Sequence, residues 1–306
     1  MEINKISIII ISYNRPADAL ELLQNITTLK QTAELLQEVI LINNNSSVSY
    51  QDVEAYISQH NIYPFKYVSS PENLGVSRGR NLGISLATAP ILFFLDDDAL
   101  LDDAGALQQI HTAFSAPYKE RAPGILSFRV LYHENRQWQI NAFPHKHFKA
   151  YSHLQAFGTY YYVGCAHAIK KEVFEKAGML PVDFFYGMEE YDLSYRTIEA
   201  GFSIQYNSGV TVLHKESPHG RQPKPEKLKG MWINKSKVAW RYLPKKYFYS
   251  TAGMWGLLFL LKTGFNIRLF ISGLKALSAI PGAEPRKPLS EKAMQYIRST
   301  NPRLWY

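Results

Sequence analysis

Four apolar runs, KISIIIIS (5–12), EVILIN (38–43), PFKYVSS (64–70) and ILFFL (91–95), alternate with segments of helical spacing, and this alternation restricts the chain to few folds. Between them, RPADALELLQNITTLK (15–30) sets Ala19, Leu22, Leu23 and Ile26 on one helical face behind a proline suited to a first turn. YQDVEAYISQH (50–60) and residues 76–88 also read as helices. Strands apolar on both faces must be covered on both faces, so the pattern predicts a doubly wound, mostly parallel α/β sheet. Such sheets bind ligands beyond the carboxyl ends of their strands. The polar residues that follow three of these runs, Ser12–Arg15, Asn43–Ser46 and Asp96–Asp98, should therefore converge on one crevice.

Composition narrows the setting. At 306 residues and 46% hydrophobic, the chain can bury a large core, which excludes disorder as the main state. The single Cys165 excludes an internal disulfide framework and thiolate-rich zinc sites, and it suits a reducing, cytosolic-type compartment. The N-terminus lacks a basic leader and a small-residue cleavage site, so it does not read as a signal peptide. The net charge of +8 is unevenly divided: residues 1–213 carry −6 and residues 214–306 carry +14. With SPHGRQPKPEK reading as a linker, this predicts one domain over 1–220 and a basic, aromatic, amphipathic helical extension over 221–306.

Two acidic clusters carry the chemistry. ILFFLDDDALLDD (91–103) drives a buried strand into three adjacent aspartates, whose repulsion needs a cation, a ligand or water to offset it. An Asp-x-Asp at a strand end suits Mg2+ or Mn2+ with its shell completed by substrate phosphates. NLGVSRGRNLG (73–83) supplies Arg78 and Arg80, whose forks match phosphate oxygens, although Gly75, Gly79 and Gly83 also suit close packing. In the second cluster, FFYGMEEYDLSYR (184–196), Asp192 lies one turn before Arg196 and reads as a structural ion pair. Glu189 and Glu190 are candidates for the base that takes a proton from an attacking hydroxyl.

ISYNR, INNNSS, NLGVSRGRNLGISLA, FLDDD and GMEEYDLSYR, in this order, resemble the family-2 glycosyltransferases with a GT-A fold, particularly the bacterial rhamnosyltransferase-like branch. The resemblance covers about residues 5–215. It implies metal-dependent, inverting transfer of a sugar from a nucleoside diphosphate to an acceptor hydroxyl. Carried onto this sequence, Ser12, Tyr13 and Arg15 border the nucleotide, Arg80 approaches the diphosphate, and Asp96 and Asp97 lie near ribose and sugar. Asp98 and His214, the latter in GVTVLHKES, are the implied ligands of Mn2+ or Mg2+. The family pattern of Glu-Asp puts the base at the second position, Glu190; the Glu-Glu here leaves Glu189 open. Asn43 stands where the family usually has an aspartate that reads the nucleotide base, so UDP or dTDP sugars are expected while CDP and GDP sugars stay open.

The tail YFYSTAGMWGLLFLLKTGFNIRLFISGLKALSAI (247–280) has an uncharged stretch too short to span a bilayer, then Lys262, Arg268 and Lys275 about two helical turns apart. This mixture suits an anionic membrane interface, with Trp255, Leu257, Leu258, Phe259 and Leu260 as anchors; packing on the domain or a homodimer contact is the alternative. HKHF (145–148) reads as a solvated loop. The expected protein is a cytoplasmic glycosyltransferase, peripheral to the inner face of a bacterial membrane, with a glycan or lipid-linked acceptor and no nucleic-acid partner. The competing readings are a sugar-phosphate nucleotidyltransferase and a non-catalytic basic scaffold or nucleic-acid-binding protein.

Overall fold

A computed structural model describes residues 4–217, 219 and 223–304. In chain order the elements are β1 (Ile6–Ser12), α1 (Pro16–Thr27), α2 (Thr32–Leu35), β2 (Leu36–Asn43), α3 (Gln51–Gln59), β3 (Phe65–Ser69), α4 (Gly75–Leu86), β4 (Ile91–Asp96), β5 (Ala99–Leu101), α5 (Ala106–Ala113) and β6 (Pro123–Tyr132). Then follow α6 (Phe148–Tyr151), β7 (Ala156–Thr159), β8 (Ala166–Lys170), α7 (Lys171–Ala177), α8 (Glu189–Glu199), β9 (Ser203–His214), α9 (Lys224–Tyr242), α10 (Lys245–Lys262), α11 (Ile267–Ala283) and α12 (Glu291–Ser299). The nine strands form one sheet in the order β3-β2-β1-β4-β8-β6-β9-β5, with β7 paired to β9.

The expected parallel block is β3-β2-β1-β4. Beyond it β8 runs antiparallel to β4 and β6, while β6 and β9 are parallel. Strand alternation splits the core in two. Ile6, Ile8 and Ile10 of β1 pack with Leu22, Leu23 and Ile26 of α1, whereas Ile9 joins Ile84 of α4 on the opposite face. On that face α4 lies so close to β1 that a Cβ on Gly83 would meet Ile9 Cγ2 at 2.4 Å, and one on Gly79 would meet Ile11 at 3.3 Å. These glycines serve packing.

The helices after residue 223 continue the same core. Trp232 of α9 is fully buried and stacks against both Phe259 of α10 and Phe270 of α11, with centroids 5.7 and 5.3 Å away. A Cβ on Gly256 or Gly273 would meet its ring at 2.8 or 2.5 Å, so both helices approach the indole through a missing side chain. In α12, the Tyr296 hydroxyl accepts from the Ile204 amide at 3.0 Å, tying the chain's end to β9. Phe259 is thus 2% exposed and corrects the expectation that it anchors in a membrane: the helix turns it inward onto Trp232. The HKHF expectation also needs correction at His145, which is buried, stacks on Tyr151 and bonds the Thr300 carbonyl at 2.9 Å through Nε2. Among the described residues, no helix is long and apolar enough to cross a membrane.

Candidate active site

Register brings the predicted residues together. Ser12 pairs with Asn43, and Ile11 with Asp96, so the polar ends of β1, β2 and β4 finish side by side. Past β1 the chain turns at Asn14, whose φ is 57°; its amide donates to Ser46 Oγ at 2.8 Å and its Oδ1 accepts from the Ser47 amide at 2.8 Å. The Ser12 hydroxyl donates to Asp97 Oδ2 at 2.6 Å. Arg15 Nη1 reaches Asp97 Oδ1 at 2.8 Å and Asp98 Oδ2 at 3.3 Å. Burial pushes the Asp97 carboxyl up to about 7 although Arg15 and Ser12 pull it down. Tyr13 lies half-buried in the same turn. Asn43 donates to the Tyr67 hydroxyl at 2.8 Å and its Oδ1 accepts from the Ser46 amide at 3.0 Å, which leaves one carbonyl lone pair.

Asp96, Asp98 and His214 each offer a ligand atom, all within 4.8 Å of one another. The donor set fits a divalent metal. Asp98 Oδ1 is buried without a hydrogen-bond partner, and His214 Nε2 lies 3.2 Å from it. Contact without bond alignment is what two ligands turned toward a shared cation would show. Gln139 Oε1, which can only accept, lies 2.9 Å from His214 Nδ1. That contact assigns the imidazole proton to Nδ1 and leaves the Nε2 lone pair toward Asp98. Burial opposes the Asp98 charge, but His214, Arg15 and the Ser217 amide outweigh it and hold the carboxyl at about 2. Burial likewise opposes a charge on His214, yet Asp98 and Asp96 raise its proton affinity above the ordinary imidazole range.

The second acidic cluster joins the first through Arg80. This guanidinium is 5% exposed and donates to Gly164 O at 2.8 Å, Asp96 Oδ1 at 3.2 Å and Glu189 Oε1 at 3.2 Å, with Glu190 Oε1 4.0 Å away. It is engaged by these carboxylates and by the Gly164 carbonyl. Gly187 and Met188, with φ of 80° and 75°, bend the chain just before α8 and present Glu189 and Glu190 at its first turn. Glu189 is buried at 2% and keeps Oε2 without a hydrogen-bond partner; the Glu190 side chain is 19% exposed. Burial and the neighbouring Glu190 raise the Glu189 carboxyl to about 8, and burial also raises Glu190, against the pull of Arg80. A Cβ on Gly164 would meet Glu190 Oε1 at 2.3 Å, so this glycine makes room for the carboxylate. Asp192 is structural, as expected: it binds Arg196 at 2.6 Å, Arg241 at 3.0 Å and the Tyr242 hydroxyl at 2.9 Å.

Residues 7–178 match the family described as Glycosyl transferase family 2. The chain belongs to that family. One sequence relative, an uncharacterized protein of Haemophilus influenzae, is 32% identical over 178 residues, 58% of this chain and 94% of its own. N-acetylgalactosaminyltransferase 6 of Drosophila melanogaster is 26% identical over 80% of this chain, which spans only 39% of that protein. Among solved structures, GalNAc-T7 with UDP, GalNAc and Mn2+ superposes with a TM-score of 0.65 at 14% identity, over 94% of this chain and 59% of that one. TarS 1-349 of S. aureus with UDP-GlcNAc gives 0.64 at 16% identity, over 96% and 84%. The mannosyltransferase PcManGT from Pyrobaculum calidifontis, in complex with GDP-Man and Mn2+, gives 0.58 at 18% identity, over 96% and 79%. The architecture of this family 2 glycosyltransferase is thus the GT-A fold, with C-terminal helices packed on it.

The His214 tautomer that leaves Nε2 open toward Asp98 depends on Gln139, so Gln139→Leu should weaken Mn2+ affinity by about 10- to 100-fold, measured calorimetrically with UDP present. Because a metal must displace any proton on Nε2, wild-type affinity should also fall as pH drops through the raised His214 pKa. Equal affinity in the variant, or none of this pH dependence, would remove His214 from the site.

Proposed function

We propose that this glycosyltransferase catalyses inverting transfer of a sugar from a nucleoside diphosphate to a glycan or lipid-linked acceptor in bacterial cell-surface polysaccharide synthesis. The observation that carries the reading is Arg80, one buried guanidinium that contacts both Asp96 beside the nucleotide crevice and the Glu189–Glu190 pair. Donor-facing and acceptor-facing acids therefore share one rigid frame. Ser12, Tyr13, Arg15, Asn43, Asp96 and Asp97 would line the nucleoside. GDP-Man and UDP-GlcNAc in two neighbouring structures, and UDP with GalNAc in a third, support a nucleotide-sugar donor. The remaining Asn43 carbonyl lone pair suits the imide N–H of UDP or dTDP. Asp98, His214 and Asp96 would hold Mn2+ or Mg2+, which when bound supplies positive charge to the departing diphosphate.

In this scheme Glu190 is the base. Its neighbour Glu189 is the more deeply buried of the two and burial raises its carboxyl to about 8, which leaves Glu190, the more exposed, as the carboxylate that ionises. Glu190 takes the acceptor hydroxyl proton as the new oxygen–anomeric-carbon bond forms on one face of the sugar. The bond to the diphosphate oxygen breaks on the other, and the nucleoside diphosphate leaves with that electron pair.

We also read the chain as two parts, a catalytic domain over 1–220 and a helical extension over 221–306 that attaches to the cytoplasmic face of an anionic membrane. Supporting this, Leu257, Leu261, Phe265, Ile267, Ile271 and Leu274 on α10, α11 and their turn are each about half exposed, beside exposed Lys262, Arg268 and Lys275. An apolar face rimmed by cations suits a lipid interface.

Glu190→Gln should lower kcat by roughly 10² to 10⁴ with little change in nucleotide affinity, and Glu189→Gln should cost less. Since burial raises the Glu190 pKa and the base must be ionised, kcat/KM should fall with pH through a midpoint above the ordinary glutamate range. The reverse ranking would move the base to Glu189; small effects from both would end this mechanism. For the membrane, the protein should cosediment with phosphatidylglycerol vesicles and release partly at high salt, and Leu257→Asp with Leu261→Asp should abolish binding. Equal binding to neutral vesicles would contradict the electrostatic part, and a dimer that dissociates in the Asp variant would assign the face to self-association.

A further inference from the structure

Beside the proposed base, two lysines stand over aromatic rings with no carboxylate against either among the described residues. Tyr161 and Tyr191 stack with centroids 4.7 Å apart and planes 14° from parallel. Lys235 of α9 places Nζ 2.9 Å from the Tyr191 centroid, and Lys146, in the β6–β7 connection, places Nζ 5.4 Å from that of Tyr161. Tyr191 directly follows Glu190 in α8. Burial, and after it Lys146, lowers the proton affinity of Lys235, while Glu190 raises it, so all three lie within electrostatic reach. Lys146 is lowered by surrounding protein and then by Arg303, although its side chain remains open to water. Glu190 brings one negative charge within reach of these two lysines, and a ligand that brings a second is matched to the remaining positive charge.

Lys146 lines an open cleft of about 560 Å³, a volume in the usual range for small-molecule sites. Trp138, Ile140, Phe148, Tyr161 and Lys146 line it. Aromatic faces offer broad apolar contact to the C–H face of a sugar ring, and the ammonium groups offer point charges to an anion. We propose that this cleft is the acceptor subsite and that it selects a saccharide carrying a phosphate or carboxylate. The charged group sits on Lys146 while the ring lies against Trp138 and Tyr161, and Lys235, over the stacked Tyr191, adds positive potential from outside the cleft. The inference rests on the reading of Glu190 as base, since the bound sugar would then present its hydroxyl to the neighbouring carboxylate.

The test uses the full chain with UDP and Mn2+, titrated by calorimetry with methyl glucoside, methyl glucuronide and glucose 6-phosphate as neutral, carboxylate and phosphate probes. At least one anionic sugar should bind about tenfold or more tightly than the neutral one. The better of the two identifies the anion. That preference should largely disappear in Lys146→Ala, shrink in Lys235→Ala, survive in Lys146→Arg, and weaken with salt. Equal binding of all three sugars, no binding of either anion, or a preference that persists in the double alanine variant would overturn the proposal. Binding of UDP with Mn2+ in the same preparation separates the two readings. If it is intact and the anion preference is missing, only this inference fails; if it is absent in the wild type, the proposed UDP-sugar donor fails first.

Discussion

A buried arginine with carboxylates on two sides is the constraint around which the site is arranged. Arg80 cannot lose its proton, and burial at 5% exposure requires that its donors be satisfied. Asp96, Glu189 and the Gly164 carbonyl satisfy them at 3.2, 3.2 and 2.8 Å. Each partner comes from a different region: the end of β4, the start of α8 and the turn before β8. Fixing one guanidinium therefore fixes the spacing between two acidic clusters that are nearly a hundred residues apart. Like charges that would otherwise repel are held in register by the cation between them.

The supporting structure serves the same end. Gly83 and Gly79 let α4 settle onto β1, and α4 carries Arg80 into the sheet's carboxyl edge. Gly75, with φ of 68°, lets the start of that helix meet Phe185, whose carbonyl accepts from the Val76 amide at 2.8 Å. This anchors the loop that delivers Glu189 and Glu190. From behind, Asp192 binds Arg196, Arg241 and Tyr242, tying α8 to α9. The extension thus buttresses the helix that bears the proposed base while its far hairpin, α10 and α11, presents apolar residues outward.

Much of this was legible in the sequence because the strongest signals were local. Continuous apolar strands announced the parallel block, and polar residues at their ends announced the crevice. Glu-Glu behind Gly187 stood out since capping does not explain two adjacent carboxylates. What escaped notice depends on partners distant in sequence. Nothing near Gln139 marks it as the residue that sets the His214 tautomer, and Gly164 reads as an ordinary turn residue until Glu190 is placed against it. Lys146 lay in a segment read as solvated, which holds for its ammonium but not for His145 beside it. Phe259 was read as a membrane anchor because α10 is apolar nearly all round, so periodicity could not identify the face that Trp232 claims.

The central claim is that Arg80 couples the nucleotide crevice to the base, and the pH profile of Arg80→Gln addresses it most directly. Removing the cation takes away the pull that lowers Glu190. In nucleotide-sugar turnover with Mn2+, and with folding verified by circular dichroism, the acid limb of kcat/KM should move to higher pH while affinity for UDP with Mn2+ falls. A folded variant whose pH profile and nucleotide affinity both superimpose on the wild type would contradict the account.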